Sequence, residues 1–288
     1  MKYWLLIPMA VLFWANTALG AGLAVEPKVI PQGQPALVRI GPLQGVKDLR
    51  LRFMGRVLGL WPGPKNVWHG AIAPDLAADL GGDEVQVLSG DKKLATARVR
   101  VTAKDYGVRR ITVDPKFMRL TPEQLARHQE EMARQRRVYK STTPQRFWRG
   151  GFVRPVPGKV VGPFGRRSVI NGQPRRHHGG VDLRAATGQA IHAAARGRVA
   201  LVDDTFFGGI VVLLDHGWGL ISGYRHLSQV LVRPGQEVAR GDIIAKAGSS
   251  GRVTGPHLHF DVALGGSRVD PLAWIKASRK LARSSGED

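Results

Sequence analysis

The sequence predicts a mainly β chain in three parts: a small N-terminal β-sandwich, a helical linker and a glycine-rich β domain filling the C-terminal half. Three observations predict this. In the first third, apolar and basic residues alternate with a period of two, as in Leu49-Arg50-Leu51-Arg52-Phe53 and Ala97-Arg98-Val99-Arg100-Val101. That pattern gives strands one buried and one wet face. A charged stretch with a helix-capping signature then interrupts the β pattern near residue 121. Beyond Gly150, short apolar runs punctuated by Gly, Pro and Asn show no alternation of strands with helices, so a doubly wound parallel sheet is not expected.

The first element is an export signal. Lys2 supplies a positive start, Tyr3 to Trp14 an apolar run, and Ala18-Leu19-Gly20 small residues where a signal peptidase cuts, so residues 1–20 read as a secretory signal peptide. An uncleaved anchor is the alternative, but the run is short of the roughly 20 apolar residues a bilayer span needs. The expected location is the periplasm or cell envelope. Residues 21–110 form the sandwich, with strands at 36–40, 49–53, 85–88 and 97–101 and turns at Pro31-Gln32-Gly33, Trp61-Pro62-Gly63-Pro64 and Gly81-Gly82-Asp83. Its one histidine, His69, reads as a packing or surface residue.

Residues 111–150 form the linker. Thr121-Pro122-Glu123-Gln124 offers a cap, a first-turn proline and the partner of a capping box, and the helix is expected to run to about Arg137. So polar a helix bridges domains or lies on a surface. Residues 151–276 form the second β domain, followed by a basic tail over 277–288, with a short helix across Pro271–Arg283.

Composition narrows the chemistry. No cysteine is present, which excludes disulfides, thiolate metal sites and a cysteine nucleophile. A metal must be held by His, Asp or Glu. The charge balance of 43 Lys+Arg against 22 Asp+Glu, net +21, favours polyanionic surroundings. For an exported chain these are anionic wall polymers or lipid headgroups. No nucleic-acid partner is expected, because no module for one is recognisable.

Seven of the nine histidines lie between His177 and His259. His257 and His259 are two apart, so on a strand they share a face while Leu258 and Phe260 point to a core. One imidazole of such a pair can bind a metal and the other can act on water beside it. His178 and Asp182 complete a His178–Asp182–His259 set, and three protein ligands leave the open position typical of catalytic zinc. Nitrogen and carboxylate donors suit zinc, though Mn, Co or Ni fit the same chemistry. His177 reads as a supporting or surface residue; His128, His192 and His216 match no ligand spacing and read as structural or exposed. Asp203, Asp204 and Asp215 read as turn carboxylates.

Three blocks in order, His178-x-Gly180-x-Asp182, Tyr224-Arg225-His226 and Gly248-Ser249-Ser250-Gly251…Thr254-Gly255-Pro256-His257-Leu258-His259-Phe260, closed by Asp270-Pro271…Trp274, resemble the lysostaphin/LytM-type zinc endopeptidases. The resemblance covers about Val161 to Trp274. It implies a compact antiparallel β fold with a groove, one Zn²⁺ held by His178, Asp182 and His259, and catalytic roles for His257 and His226. It implies hydrolysis of peptide cross-links in peptidoglycan by metal-activated water. The family's tyrosine before the first ligand is missing from 165–177, so Asn171, an arginine or His226 would serve the oxyanion. The competing reading is a non-catalytic wall-binding protein or an activator of another wall hydrolase.

Overall fold

The computed structural model describes residues 22–112 and 120–287; the export signal expected over 1–20 lies outside them. Among the described residues no helix is long and apolar enough to cross a membrane. The fold is mainly β, and the described residues include two α-helices, α1 (Pro122–Lys140) and α2 (Pro271–Ser284).

Two sheets build the N-terminal part. One runs in the order Ala24–Glu26, Ala36–Ile40, Trp68–Ile72, Trp61–Pro62; the other runs Val29–Pro31, Lys92–Thr102, Gly81–Ser89, Leu49–Phe53, Arg56–Gly59. The alternating residues behave as their period requires. Leu49, Leu51, Phe53, Val99 and Val101 are buried, whereas Arg50, Arg52, Arg98 and Arg100 are exposed. The two buried faces meet in one apolar cluster.

That cluster does not stop at the sandwich. It continues through Trp148 and Phe152 to Trp274 of α2 and on into the C-terminal sheet. Trp61 meets Trp148 edge-on at 5.4 Å, and Trp148 meets Trp274 at 6.2 Å. Gly59 admits the indole of Trp218 from the C-terminal half; a Cβ there would come within 2.0 Å of the ring. Residues 277–284 are the second half of α2, where Leu281 and Ala282 are buried, and Glu287 forms an ion pair with Arg146. Asp270 caps α2 by accepting the N–H groups of Leu272 and Ala273.

The C-terminal sheet is antiparallel throughout its main path, Val160–Gly162, Val181–Arg184, His257–Leu264, Leu220–Val230, Gly209–Asp215, Gly197–Thr205 and Glu237–Val238. Helix α1 forms with the reciprocal Thr121–Gln124 capping box and lies on one face of this sheet. Tyr139 packs there with Val211, Leu213, Ile221 and Ala263. Polar contacts fix the rest: the Glu131 carboxylate accepts from the Phe206 N–H at 3.0 Å, and Arg134 grips Asp203 through two bonds of 3.0 and 3.1 Å. Asp203, read as a turn residue, is thus a strand residue that holds the helix.

Before the sheet, Val108–Ile111 pairs in parallel with Arg167–Ile170, which pairs antiparallel with Gln173–His177. This three-stranded unit leads straight into His178. Its outer strand, Gln173–His177, is exposed along its whole length, so no apolar alternation marked it in the sequence.

Candidate metal centre

Strand register assembles the site. His257 and His259 share one face of their strand, while Leu258 and Phe260 are buried on the other. Asp182 stands directly across from His259 in the neighbouring strand, and His178 lies at the entry to that strand. His178 Nε2, Asp182 Oδ1 and His259 Nδ1 therefore converge, with mutual distances of 3.0, 3.0 and 2.9 Å. These edges are close to the roughly 3.3 Å that separates ligand atoms in tetrahedral zinc coordination at ordinary bond lengths.

The protonation pattern supports a cation. His178 Nδ1 lies 2.9 Å from the Pro163 carbonyl, which can only accept, so Nδ1 carries the proton and Nε2 presents a lone pair. The Asp261 carboxylate lies 3.9 Å from His259 Nε2 and favours the proton there, leaving Nδ1 as the lone pair. With the carboxylate of Asp182, three acceptor atoms face one another. Such a donor set fits a divalent cation. It is also the one group of three such side chains with metal-ligand spacing among the described residues.

Charge in the site follows the same logic. With no cation between them, His178 and His259 would each turn a proton towards Asp182, and against the raising effect of burial this holds its carboxyl far below the usual carboxylate range. For His178, burial opposes the charged form while Asp182 favours it, and the balance is upward; the more enclosed His259 is pushed down to about 4 by burial. Two glycines let these groups meet: a Cβ at Gly180 would come within 2.6 Å of the His259 ring, and one at Gly162 within 2.2 Å of Asp182 Oδ2.

Two further histidines flank the triangle. His257 Nδ1 donates to the Gly255 carbonyl at 2.9 Å, and its Nε2 lies 3.8 Å from Asp182 Oδ1. His226 Nδ1 donates to the Ser250 carbonyl at 3.0 Å. The two rings are 4.8 Å apart, and each leaves Nε2 free. His226 sits where its strand carries an extra residue opposite Ile210–Val212, a bulge that turns its backbone left-handed, φ 63°. Burial pushes its imidazole down to about 4.

The other histidines stand apart from the triangle. His177 is exposed and bonds the Gly165 carbonyl; His128 packs edge-on against Phe207; His192 bonds the Gly241 carbonyl. His69 is buried in the sandwich. His216 is fully buried between the Arg196 carbonyl and Ser222 Oγ, 2.8 Å from each. Sequence reasoning gave no role to the group behind His259. Asp261 accepts from Arg225 Nε at 3.1 Å, from Tyr139 Oη at 2.6 Å and from Arg268, while Arg225 also donates to Gln135 Oε1 at 2.7 Å. The continued alternation His257-x-His259-x-Asp261 was its only sequence signal. The carbonyls of Pro163 and Ser250, which fix two imidazoles, leave no signal at all.

Sheet, triangle and flanking imidazoles define a class: an antiparallel β protein with a three-residue group that could hold a metal ion. A family model described as Peptidase family M23 matches residues 176–271. A putative M23 peptidase from Pseudomonas aeruginosa has a similar crystal structure, with a TM-score of 0.69 and 30% identity over 85% of this chain and 95% of that one. The chain belongs to peptidase family M23. It is also 36% identical over 107 residues to the peptidoglycan DD-endopeptidase ShyA of Vibrio cholerae, and 35% identical over 136 residues to the murein hydrolase activator NlpD of Escherichia coli. Those matches take in 37% and 47% of this chain but only 24% and 33% of the relatives' own length.

Proposed function

We propose that the protein is a secreted zinc-dependent endopeptidase that hydrolyses the peptide cross-links of bacterial peptidoglycan in the periplasm or cell envelope. The observation that carries this reading is the complete His178–Asp182–His259 set beside two imidazoles that each offer a free Nε2. One zinc ion held by the three residues would supply a Lewis acid that polarises an amide carbonyl and lowers the pKa of water.

The chain's own residues do the rest. His257 Nε2 takes a proton from the attacking water and returns it to the leaving amine. His226 begins as a neutral acceptor, because its Nδ1 proton is committed to Ser250. It accepts one of the two protons of the attacking water at Nε2 while His257 takes the other, and then donates it to the developing oxyanion, returning to the neutral form. No tyrosine occupies the 165–177 segment, and among Asn171, the arginines there and His226 we assign this work to His226, whose ring lies 6.1 Å from that of His259.

The likeness to NlpD supports a second reading, that of an activator of another wall hydrolase. The retention of every ligand and both flanking histidines favours catalysis. The test is incubation of the mature, zinc-loaded protein with purified sacculi, with and without a chelator, followed by identification of the released muropeptides. Chelator-sensitive loss of cross-linked species is expected. A folded, zinc-loaded protein that releases nothing would favour the activator.

A further inference from the structure

A cleft of about 1350 Å³ lies between α1, the three-stranded unit before His178 and the loop before His257. Its floor is apolar, with Met132, Ile170, Phe207 and Val253, and its rim carries Arg136, Arg175, Arg176 and Arg252. All four arginines are exposed, and none forms an ion pair among the described residues. No carboxylate is among the lining residues. This contrasts with Arg127 and Arg134 on the same helix, which are both paired with carboxylates.

The segments that line the cleft also carry the residues of the candidate metal centre or adjoin them. Arg176 is two residues before His178, and Thr254 is three before His257. Phe207 adjoins Gly208, whose carbonyl accepts the His226 N–H at 2.9 Å. A second cleft of about 650 Å³ shares Met132, Arg136 and Arg176 with the first and adds Arg56 and Lys140 to the cationic rim.

Resting on the hydrolase reading above, we infer that this cleft is the substrate-binding track and that its arginines select peptides carrying free carboxylates, as the stem peptides of peptidoglycan do. Clustered unpaired guanidinium groups repel one another, and a ligand with several carboxylates relieves that repulsion. The planar fork of arginine matches a carboxylate through two parallel hydrogen bonds, while the apolar floor takes the methyl and methylene groups between them. Because Arg136 belongs to α1, the segment before the peptidase sheet contributes to substrate choice.

The experiment compares binding of two probes to the full mature protein at low salt. One is a synthetic stem tetrapeptide with free carboxylates; the other is the same peptide with those carboxylates amidated. The wild type is expected to bind the free acid about tenfold more tightly, the scale of a charge-assisted hydrogen bond. Arg175→Gln/Arg176→Gln should remove most of that preference, leave the affinity for the amidated probe unchanged and leave the thermal midpoint unmoved. Equal affinities in the wild type, or an intact preference after replacing all four arginines, would overturn the inference. Hydrolysis of sacculi is followed in parallel. Cleavage without carboxylate preference removes this inference and leaves the hydrolase reading standing; preference without cleavage does the reverse.

Discussion

His226 holds a backbone conformation that costs a non-glycine residue about 1 kcal/mol or more. Replacing it tests whether the strain serves its position. His226→Gly should be more stable than His226→Ala by about 1 kcal/mol in denaturant titration, reversing the ordinary order of these residues in a strand, and both should lose hydrolysis. Asp182→Ala and His178→Ala should each lose zinc by elemental analysis while keeping the wild-type circular dichroism spectrum; full zinc in either would remove that ligand. His216 makes a pH prediction away from the centre. Burial pushes its imidazole from 6.5 down to about 4, so the unfolded chain takes up the proton first. Stability is complete above pH 6.5 and falls as pH drops towards 4, by at most about 3 kcal/mol. His216→Gln should flatten that part of the stability curve relative to the wild type. The ligand triangle and its flanking histidines were legible because side-chain types at fixed spacing carry them. Their anchors were not, since any residue supplies a carbonyl such as those of Pro163 and Ser250.

At the scale of elements, α1 shows where sequence reading reaches and where it ends. Its start was written in Thr121-Pro122-Glu123-Gln124, and the capping box forms. Its docking was not, because the helix buries mostly polar groups, Glu131 and Gln135 among them, whose partners lie far along the chain. No periodic apolar stripe announces such a contact. Tyr139 is the residue where helix and sheet meet, bonded to both Asp261 and Arg225. Tyr139→Phe removes a hydroxyl bonded to two charged groups and should cost about 2 kcal/mol in chemical denaturation. An unchanged midpoint would mean that the contact contributes nothing net. The sandwich strands, by contrast, were readable because period-two alternation and burial coincide at Leu49, Leu51 and Phe53.

For the whole molecule, one apolar cluster runs from Val25 in the sandwich to Leu281 in α2. Calorimetry of the mature protein should therefore show one unfolding transition; two resolved peaks would mean that the halves melt independently. Gly59→Leu, which drives a side chain into the Trp218 ring, should destabilise the entire protein by about 3 kcal/mol. The packing of α1 bears on modularity. Val211, Leu213, Ile221 and Ala263 lie under Tyr139, on the strand face that His257 and His259 also share. A fragment trimmed to the family-matched region, 176–271, would bare that oily strip beside the His178–Asp182–His259 triangle. Such fragments would stick to one another through the face that α1 covers, so the family-matched portion is not a detachable cartridge, and exchanging it between relatives would require carrying the helix along with it.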